Sequence, residues 1–330
     1  MDKLASRPVL RAVFQVHAGP SFPLRRGTAA LKTKAKPVAK SSKKPQATIG
    51  IIGGSGLYAI EGLHHAKEVR IKTPFGDPSD LILTGLLEGK AVAFLARHGR
   101  GHRILPSEIN YRANLYALKL LGVDRIISVS AVGSLKENLA PGEFLVADQF
   151  VDRTRHRVST FFGAGLVAHV TFDKPTCPQV SRILAEASDL CGVSVHRKGT
   201  YLCMEGPQFS TLAEADLHRS LGFDVIGMTN VTEAKLAREA ELCYGTMAMI
   251  TDYDCWHPDH ESVSSAQIIA TLNQNAENAQ RVLREAIKAM PAEQQCKCSS
   301  ALAHALITDP KLVPPATKKR LAAIIGKYIS

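Results

Sequence analysis

The sequence predicts an α/β fold: a single domain with a central, mostly parallel mixed sheet flanked by helices, plus C-terminal helices. Three observations lead there. Short apolar runs alternate with helical periodicity over about 240 residues, the pattern of successive strand–helix–strand units. Several of those runs end in glycine, hydroxyl or charged residues, as strands do where an open sheet presents a binding crevice. Hydrophobic residues make up 45% of the chain, the share expected of an ordinary globular core.

The net charge of +11 would suggest a nucleic-acid partner if it were spread over the fold. It is not. Residues 1–47 hold eleven of the 41 Lys and Arg but one of the 30 acids, Asp2, so the remainder is close to neutral. This argues against nucleic-acid binding by the folded body. The first 47 residues also lack sustained periodicity, and they are expected to form a disordered basic extension. Their composition is shared by organelle-targeting peptides, so a cytoplasmic location is expected with an organelle as the alternative. No apolar run approaches the roughly 20 residues of a membrane span, and no membrane partner is expected. Residues 48–290 are expected to form the main domain and 291–330 a helical C-terminal extension.

Taken in order, Thr48–Gly53 predicts a buried strand that runs into Gly53-Gly54-Ser55-Gly56. Glycines there let backbone N–H groups approach an anion, and Ser55 adds a hydroxyl. The dinucleotide spelling G-x-G-x-x-G is absent, which weighs against a nicotinamide oxidoreductase. Leu81–Leu87 and Lys90–Ala96 flank Glu88-Gly89 as a hairpin. The second run ends in Arg97-His98-Gly99-Arg100-Gly101-His102, where Arg97 offers a fork to an oxyanion and His98 a hydrogen-bond donor. Ser107 is expected to cap a helix through Leu121, closed by Gly122. Arg125–Ser130 predicts a strand ending in Ser130-Ala131-Val132-Gly133-Ser134.

A strand over Glu143–Ala147, a helix over Pro178–Leu190 and a strand over Lys198–Met204 follow. The last enters Glu205-Gly-Pro-Gln-Phe-Ser210, where Phe209 can stack on a flat ligand. A helix over Leu212–Leu221, a strand over Asp224–Ile226 leading to Gly227-Met228-Thr229, and a helix over Glu233–Ala240 come next. Cys243–Ile250 reads as a buried strand presenting Asp252 and Asp254 at its end. Residues i and i+2 of an extended segment face the same way, so both carboxylates should converge. A long helix over Ser264–Met290 and two shorter ones, near Ala301–Thr308 and Pro315–Tyr328, complete the chain.

Two acids aimed at one spot make either a metal site or a pair that shares protons with a substrate. The other strand ends decide between them. Hydroxyls at Ser55, Ser130 and Thr229, with Arg97 and His98, suit an anion such as inorganic phosphate. The histidines are not spaced as zinc ligands, and two carboxylates beside a tyrosine fall short of a magnesium cage, so no metal is expected. Of seven cysteines, most sit in apolar contexts. Cys296-Lys297-Cys298 is a closer pair, but two cysteines without further ligands are a weak zinc signal, and a disulfide between them is left open.

In combination, Ile49-Gly-Ile-Ile-Gly-Gly-Ser-Gly56, Thr73-Pro-Phe-Gly76, Ala96-Arg-His-Gly99, Glu205-Gly-Pro207 with Phe209-Ser210, and Thr251-Asp-Tyr-Asp-Cys-Trp256 resemble the S-methyl-5'-thioadenosine phosphorylase family. That family is in the trimeric branch of the purine nucleoside phosphorylases. The resemblance covers about residues 48–290. It implies phosphorolysis of methylthioadenosine to adenine and methylthioribose 1-phosphate, in methionine and purine salvage, with phosphate as co-substrate and no cofactor. The alternative within the class is a phosphorylase of 6-oxopurine nucleosides, a purine nucleoside or methylthioinosine enzyme.

By the same resemblance Ser55, Arg97, His98, Ser130, Ala131 and Thr229 match the phosphate site, Met228 lies under the ribose and Phe209 lies against the base. Asp252 and Asp254 match the base-recognition pair, with Asp252 as donor to purine N7 and Asp254 as acceptor from the 6-amino group. The reverse split stays open because a coupled pair shares its protons. Ser210 and Ser265 fall where substrate choice is tuned. A homotrimer is implied, with His169 entering the neighbour's site. Gly227 stands where the family commonly carries Asn.

Overall fold

The computed structural model describes residues 46–57, 60–258 and 265–329, and of 265–269 the backbone alone. The predicted basic tail therefore lies outside the described residues. From residue 46 onward the described chain forms one compact unit. Among the described residues, no helix is long and apolar enough to cross a membrane.

The elements in chain order are β1 (Ile49–Gly53), β2 (His64–Val69), β3 (Ile82–Leu87), β4 (Lys90–Ala96), α1 (Tyr111–Leu120), β5 (Arg125–Ser134), β6 (Phe144–Leu145) and β7 (Gln149–Asp152). They continue with α2 (Pro178–Leu190), β8 (Val195–His196), β9 (Thr200–Cys203), α3 (Leu212–Ser220), β10 (Val225–Gly227), α4 (Asn230–Glu239), β11 (Cys243–Asp252) and α5 (Ser265–Ala289). A 3₁₀ turn over Cys298–Ser300, α6 (Pro315–Arg320) and α7 (Ala322–Ile325) finish the chain.

The sheet is mixed, as predicted. Strand order runs β2-β3-β4-β1-β5-β10-β9-β7, with β11 on the other edge of β5 and β6 and β8 beyond it. The β4-β1-β5-β11 centre is parallel throughout. Side chains alternate between the faces. Ile52 and Ile126 join one core, with Leu115 and Tyr116 of α1, Leu236 of α4 and Ile324 and Ile325 of α7. Ile51, Ile127 and Met247 join the other, with Val180 and Leu184 of α2 and Leu283 and Ile287 of α5. Helices thus cover both faces, which is why the central strands read as continuous apolar runs.

Several boundaries differ from expectation. The cap of α1 is Asn110, not Ser107; its side chain accepts from the Ala113 N–H at 3.1 Å and donates to the Phe75 carbonyl at 2.7 Å. Strand β5 does not end at Ser130 but continues to Ser134, because Gly133 and Ser134 pair with β10. Helix α4 starts three residues before the expected Glu233, so Thr229 becomes its N-cap. The exposed edge strand β2 and the short β7 and β8 gave no legible sequence pattern. The helix expected over Ala301–Thr308 does not form: Leu306 instead bridges to Ala168 as an isolated strand pair. Nor do residues 291–329 hang off as a separate extension, since Leu302, Val313, Leu321 and Ile325 are buried in the same core as α1.

Candidate active site

One irregularity of the sheet creates the site. On one edge β5 pairs with β1 as far as Val129, and with β10 again from Gly133. Ser130 and Ala131 fall between these two pairings. A strand that changes neighbours opens a crevice at the point of change, where open sheets bind ligands. The cavity there measures about 310 Å³ and collects Ser55, Arg97, His98, Ser130, Ala131, Phe209, Met228, Thr229, Asp252 and Asp254. Ten of the thirteen residues singled out from sequence therefore meet in one place. Ser210 sits just behind, beside Asp254, without lining the cavity. His169 is exposed and does not line this cavity. Ser265 opens α5, but its side chain lies outside the described residues.

The anion end is built on Arg97, which is 1% exposed and not the free fork expected. Its Nε donates to Glu233 Oε1 at 2.5 Å and its Nη2 to Glu233 Oε2 at 3.2 Å and Ser128 Oγ at 2.6 Å. Nη1 donates to the Val129 carbonyl at 3.0 Å. Burial works against the guanidinium charge, and Glu233 more than restores it. What Arg97 offers the cavity is the remainder of Nη1, a fixed positive edge in place of two parallel donors. A Cβ on Gly54 would come within 2.6 Å of Nη1, so only glycine lets the Ser55 loop lie against it.

His98 departs from its expected role too. Its Nδ1 lies 2.8 Å from the Ile104 carbonyl, which only accepts, so Nδ1 carries the proton. Burial, then the Arg97 charge, lowers its pKa to about 4, so the ring is neutral and Nε2 is an acceptor. The Ser130 hydroxyl is buried beside the Tyr201 hydroxyl, and the Thr229 hydroxyl caps no backbone N–H but donates to Asn230 Oδ1 at 3.0 Å. A Cβ on Gly227 would stand 1.9 Å from the Tyr201 hydroxyl, so the tyrosine fills the space that the commoner Asn would take.

At the other end of the cavity the carboxylates converge, but not by strand alternation. β11 ends at Asp252, and Asp254 turns back with φ of +55°. The Asp254 N–H donates to Asp252 Oδ1 at 2.8 Å, closing a short turn that aspartate tolerates. Thr251 Oγ1 donates to Asp252 Oδ2 at 2.6 Å. Trp256 anchors the turn through its Nε1, which donates to the Ser134 carbonyl at 2.8 Å. Burial raises both carboxyl pKa values. For Asp254 the rise, to about 6, comes from burial and from the Asp252 charge, against the lowering effect of the Ser210 hydroxyl. Asp252 accepts from two donors, the Thr251 hydroxyl and the Asp254 N–H, whereas the donor beside the Asp254 carboxyl is the Ser210 hydroxyl. In the free site burial thus favours a proton held within the pair, and both assignments of donor to N7 and acceptor from the 6-amino group stay open to it.

Three functional contributors escaped sequence reasoning. Ser128 of β5 and Glu233 of α4 lie 31 and 136 residues from Arg97 in the chain and reach it only through the fold. Arg157, its side chain 1% exposed, pairs with Glu205 and also donates to the Met228 and Glu205 carbonyls, holding the 205–209 loop over the cavity. In sequence nothing sets it apart from the neighbouring Arg153 and Arg155.

A model of the phosphorylase superfamily matches residues 48–288. A protein of Koribacter versatilis called S-methyl-5'-thioadenosine phosphorylase is 63% identical over 283 residues, covering 86% of this chain and 97% of its own. The chain belongs to the S-methyl-5'-thioadenosine phosphorylase family of that superfamily. A family member from Geobacter sulfurreducens is 55% identical, covering 85% of this chain and 99% of its own. Among solved structures, a methylthioadenosine phosphorylase from an antarctic soil metagenomic library superposes with a TM-score of 0.81 at 52% identity, covering 85% and 99% of the two chains. A methylthioadenosine phosphorylase from Schistosoma mansoni in complex with adenine gives 0.71 at 36% identity, covering 78% and 96%. For a member of this phosphorylase family, the fold and activity class expected from sequence both stand.

Proposed function

We propose that the protein catalyses phosphorolysis of S-methyl-5'-thioadenosine, giving adenine and S-methyl-5-thioribose 1-phosphate. The observation that carries this is the pairing, in one cavity, of a buried anion cradle with two carboxyls of raised pKa. Phosphate held by Ser55, Arg97, His98, Ser130, Ala131 and Thr229 attacks the anomeric carbon as the glycosidic bond breaks. The bonding electrons leave with the purine, and a proton from the Asp252–Asp254 pair at N7 neutralises them. Met228 supports the ribose, and Phe209, 73% exposed at the mouth, is covered by the base once it binds.

The same pair selects the base. An anionic carboxylate accepts from a 6-amino group but faces a lone pair on a 6-oxopurine, a mismatch worth up to about 10⁴ in specificity. Apolar Leu272 of α5 lines the cavity and favours a methylthio over a hydroxyl substituent. Phosphate-dependent base release from methylthioadenosine, adenosine and inosine is expected to rank in that order. Inosine cleaved best would contradict the base reading, and no phosphate-dependent release from any of them would remove the function.

The enzyme is expected to work as a homotrimer in the cytoplasm, each site receiving His169 of a neighbour. Supporting this, His169 follows Val167 on a surface where Val167 and Ile307, linked by the Ile307 N–H to the Val167 carbonyl at 2.9 Å, expose apolar side chains. Light scattering should give three times the chain mass. His169→Ala should raise the nucleoside KM while leaving the phosphate KM near its original value; a monomer of full activity would contradict the shared site.

A further inference from the structure

The pair Cys296 and Cys298, without further ligands in the sequence, acquires two in the fold. Cys177 and Cys243 bring their sulfurs to the same spot, and all four Sγ atoms lie within 4.8 Å of one another. Around a zinc ion with Zn–S bonds of about 2.3 Å, tetrahedral thiolates sit ~3.8 Å apart. We propose that Cys177, Cys243, Cys296 and Cys298 form a structural tetrathiolate site for Zn²⁺.

Three features beyond proximity support a built site. First, the ligands come from elements whose backbones are already fixed. Cys177 is the N-cap of α2 and its N–H donates to the Tyr244 carbonyl at 2.7 Å. Cys243 is the first residue of β11, with its N–H donating to the Asp124 carbonyl at 2.9 Å. The Gln295 N–H donates to Gln179 Oε1 at 3.2 Å, which draws the Cys296 segment onto α2. Second, the surroundings suit the net negative charge of four thiolates on a divalent ion. The helix N-terminus at Cys177 is electropositive. Buried Arg125 stands beside Cys243 on the adjacent strand, and Gln294 Nε2 donates to Cys243 Sγ at 3.3 Å, as a partner outside the ligand shell should. Third, the cysteines are thiols, and the Cys243–Cys296 Sγ separation of 3.2 Å is well beyond a disulfide bond of about 2.05 Å.

The site is remote from chemistry. Cys243 and Asp252 stand at opposite ends of β11, so the cluster is about 30 Å from the carboxylates. Its position points to a clamp that joins residues 291–329 to α2 and the sheet. All four ligands are soft and none leaves an open position, the pattern of a structural ion.

The test uses the full-length chain, purified under reducing conditions without chelator. Elemental analysis should find about one zinc per chain, and Co²⁺ exchanged into it should give intense thiolate-to-cobalt absorption bands. Cys296→Ser with Cys298→Ser should lose the metal and lower Tm by about 5 °C or more, with kcat/KM of the folded fraction changed less than twofold. Cys191→Ser should keep the zinc. If the double variant does not fold, the metal content of the unaltered protein and its Tm with and without chelator still decide. Metal-free protein whose Tm does not respond to added Zn²⁺ would overturn the proposal. So would iron in place of zinc, or an intact mass reduced by two hydrogens for each disulfide among these four cysteines.

Discussion

Replacing either acid of the Asp252–Asp254 pair with Asn should lower kcat/KM for methylthioadenosine by about 10²–10⁴, the usual range for removing a positioned acid. The two variants should differ. Asp254 has the carboxyl held near 6, whereas Asp252 accepts from the Thr251 hydroxyl and the Asp254 backbone N–H. If the proton rests on Asp254, Asp254→Asn gives the greater loss in kcat and Asp252→Asn weakens selection for 6-aminopurines more. The pH dependence has a definite sign. The productive form is protonated, so nucleoside kcat/KM falls as pH rises through about 6, the value of the free enzyme. That alkaline limb should be displaced in Asp254→Asn. Equal losses in phosphate and nucleoside binding, with an unchanged pH profile, would remove the acid role from the pair.

Glu233→Ala is expected to have the largest effect on stability. Arg97 and Glu233 are each 1% exposed, and the substitution leaves the guanidinium buried without its carboxylate. Breaking such a pair costs about 3–5 kcal/mol, measurable as a lower denaturant midpoint. The Tyr244 hydroxyl, which donates to Glu233 Oε2 at 3.0 Å, and the Ser128 hydroxyl, at 2.7 Å, lose an acceptor at the same time. Glu233→Gln keeps acceptors in place and should lose less. In whatever folds, the KM for phosphate should rise more than that for nucleoside, because Arg97 is no longer held against the Ser55 loop. A loss below about 1 kcal/mol would mean that Arg97 finds another partner.

The cavity wall was legible where one chain segment carries both the structure and the chemistry. Gly53-Gly54-Ser55 announces a tight loop after a buried run, and Thr251–Trp256 places two acids after another. Buried parallel strands and amphipathic helices leave strong periodicities, which is why β1, β4, β11, α2 and α5 lie close to their expected bounds. β2 was missed because all but one of its residues are exposed, so it has no apolar alternation to read. Ser107 and Asn110 are both residue types that cap helices, and it is the Phe75 carbonyl, 35 residues away, that engages the asparagine amide.

By itself the sequence determined the α/β class, the location of the basic charge in the tail, and the polar strand ends at Ser55, Arg97, Ser130, Thr229 and Asp252 that face the cavity. These follow from local pattern: periodicity, composition, and the polar groups left where apolar runs stop. Only the tertiary structure decided what each residue has left to give. Arg97 is largely engaged by Glu233, His98 is neutral because Ile104 holds its Nδ1 proton, and Asp254 reaches Asp252 through a turn and not along a strand. It alone brought Cys177 and Cys243 to Cys296 and Cys298. Protonation and coordination are set by atoms within a few ångströms in space, and folding brings those atoms from positions that can lie more than a hundred residues apart, as Arg97 and Glu233 do.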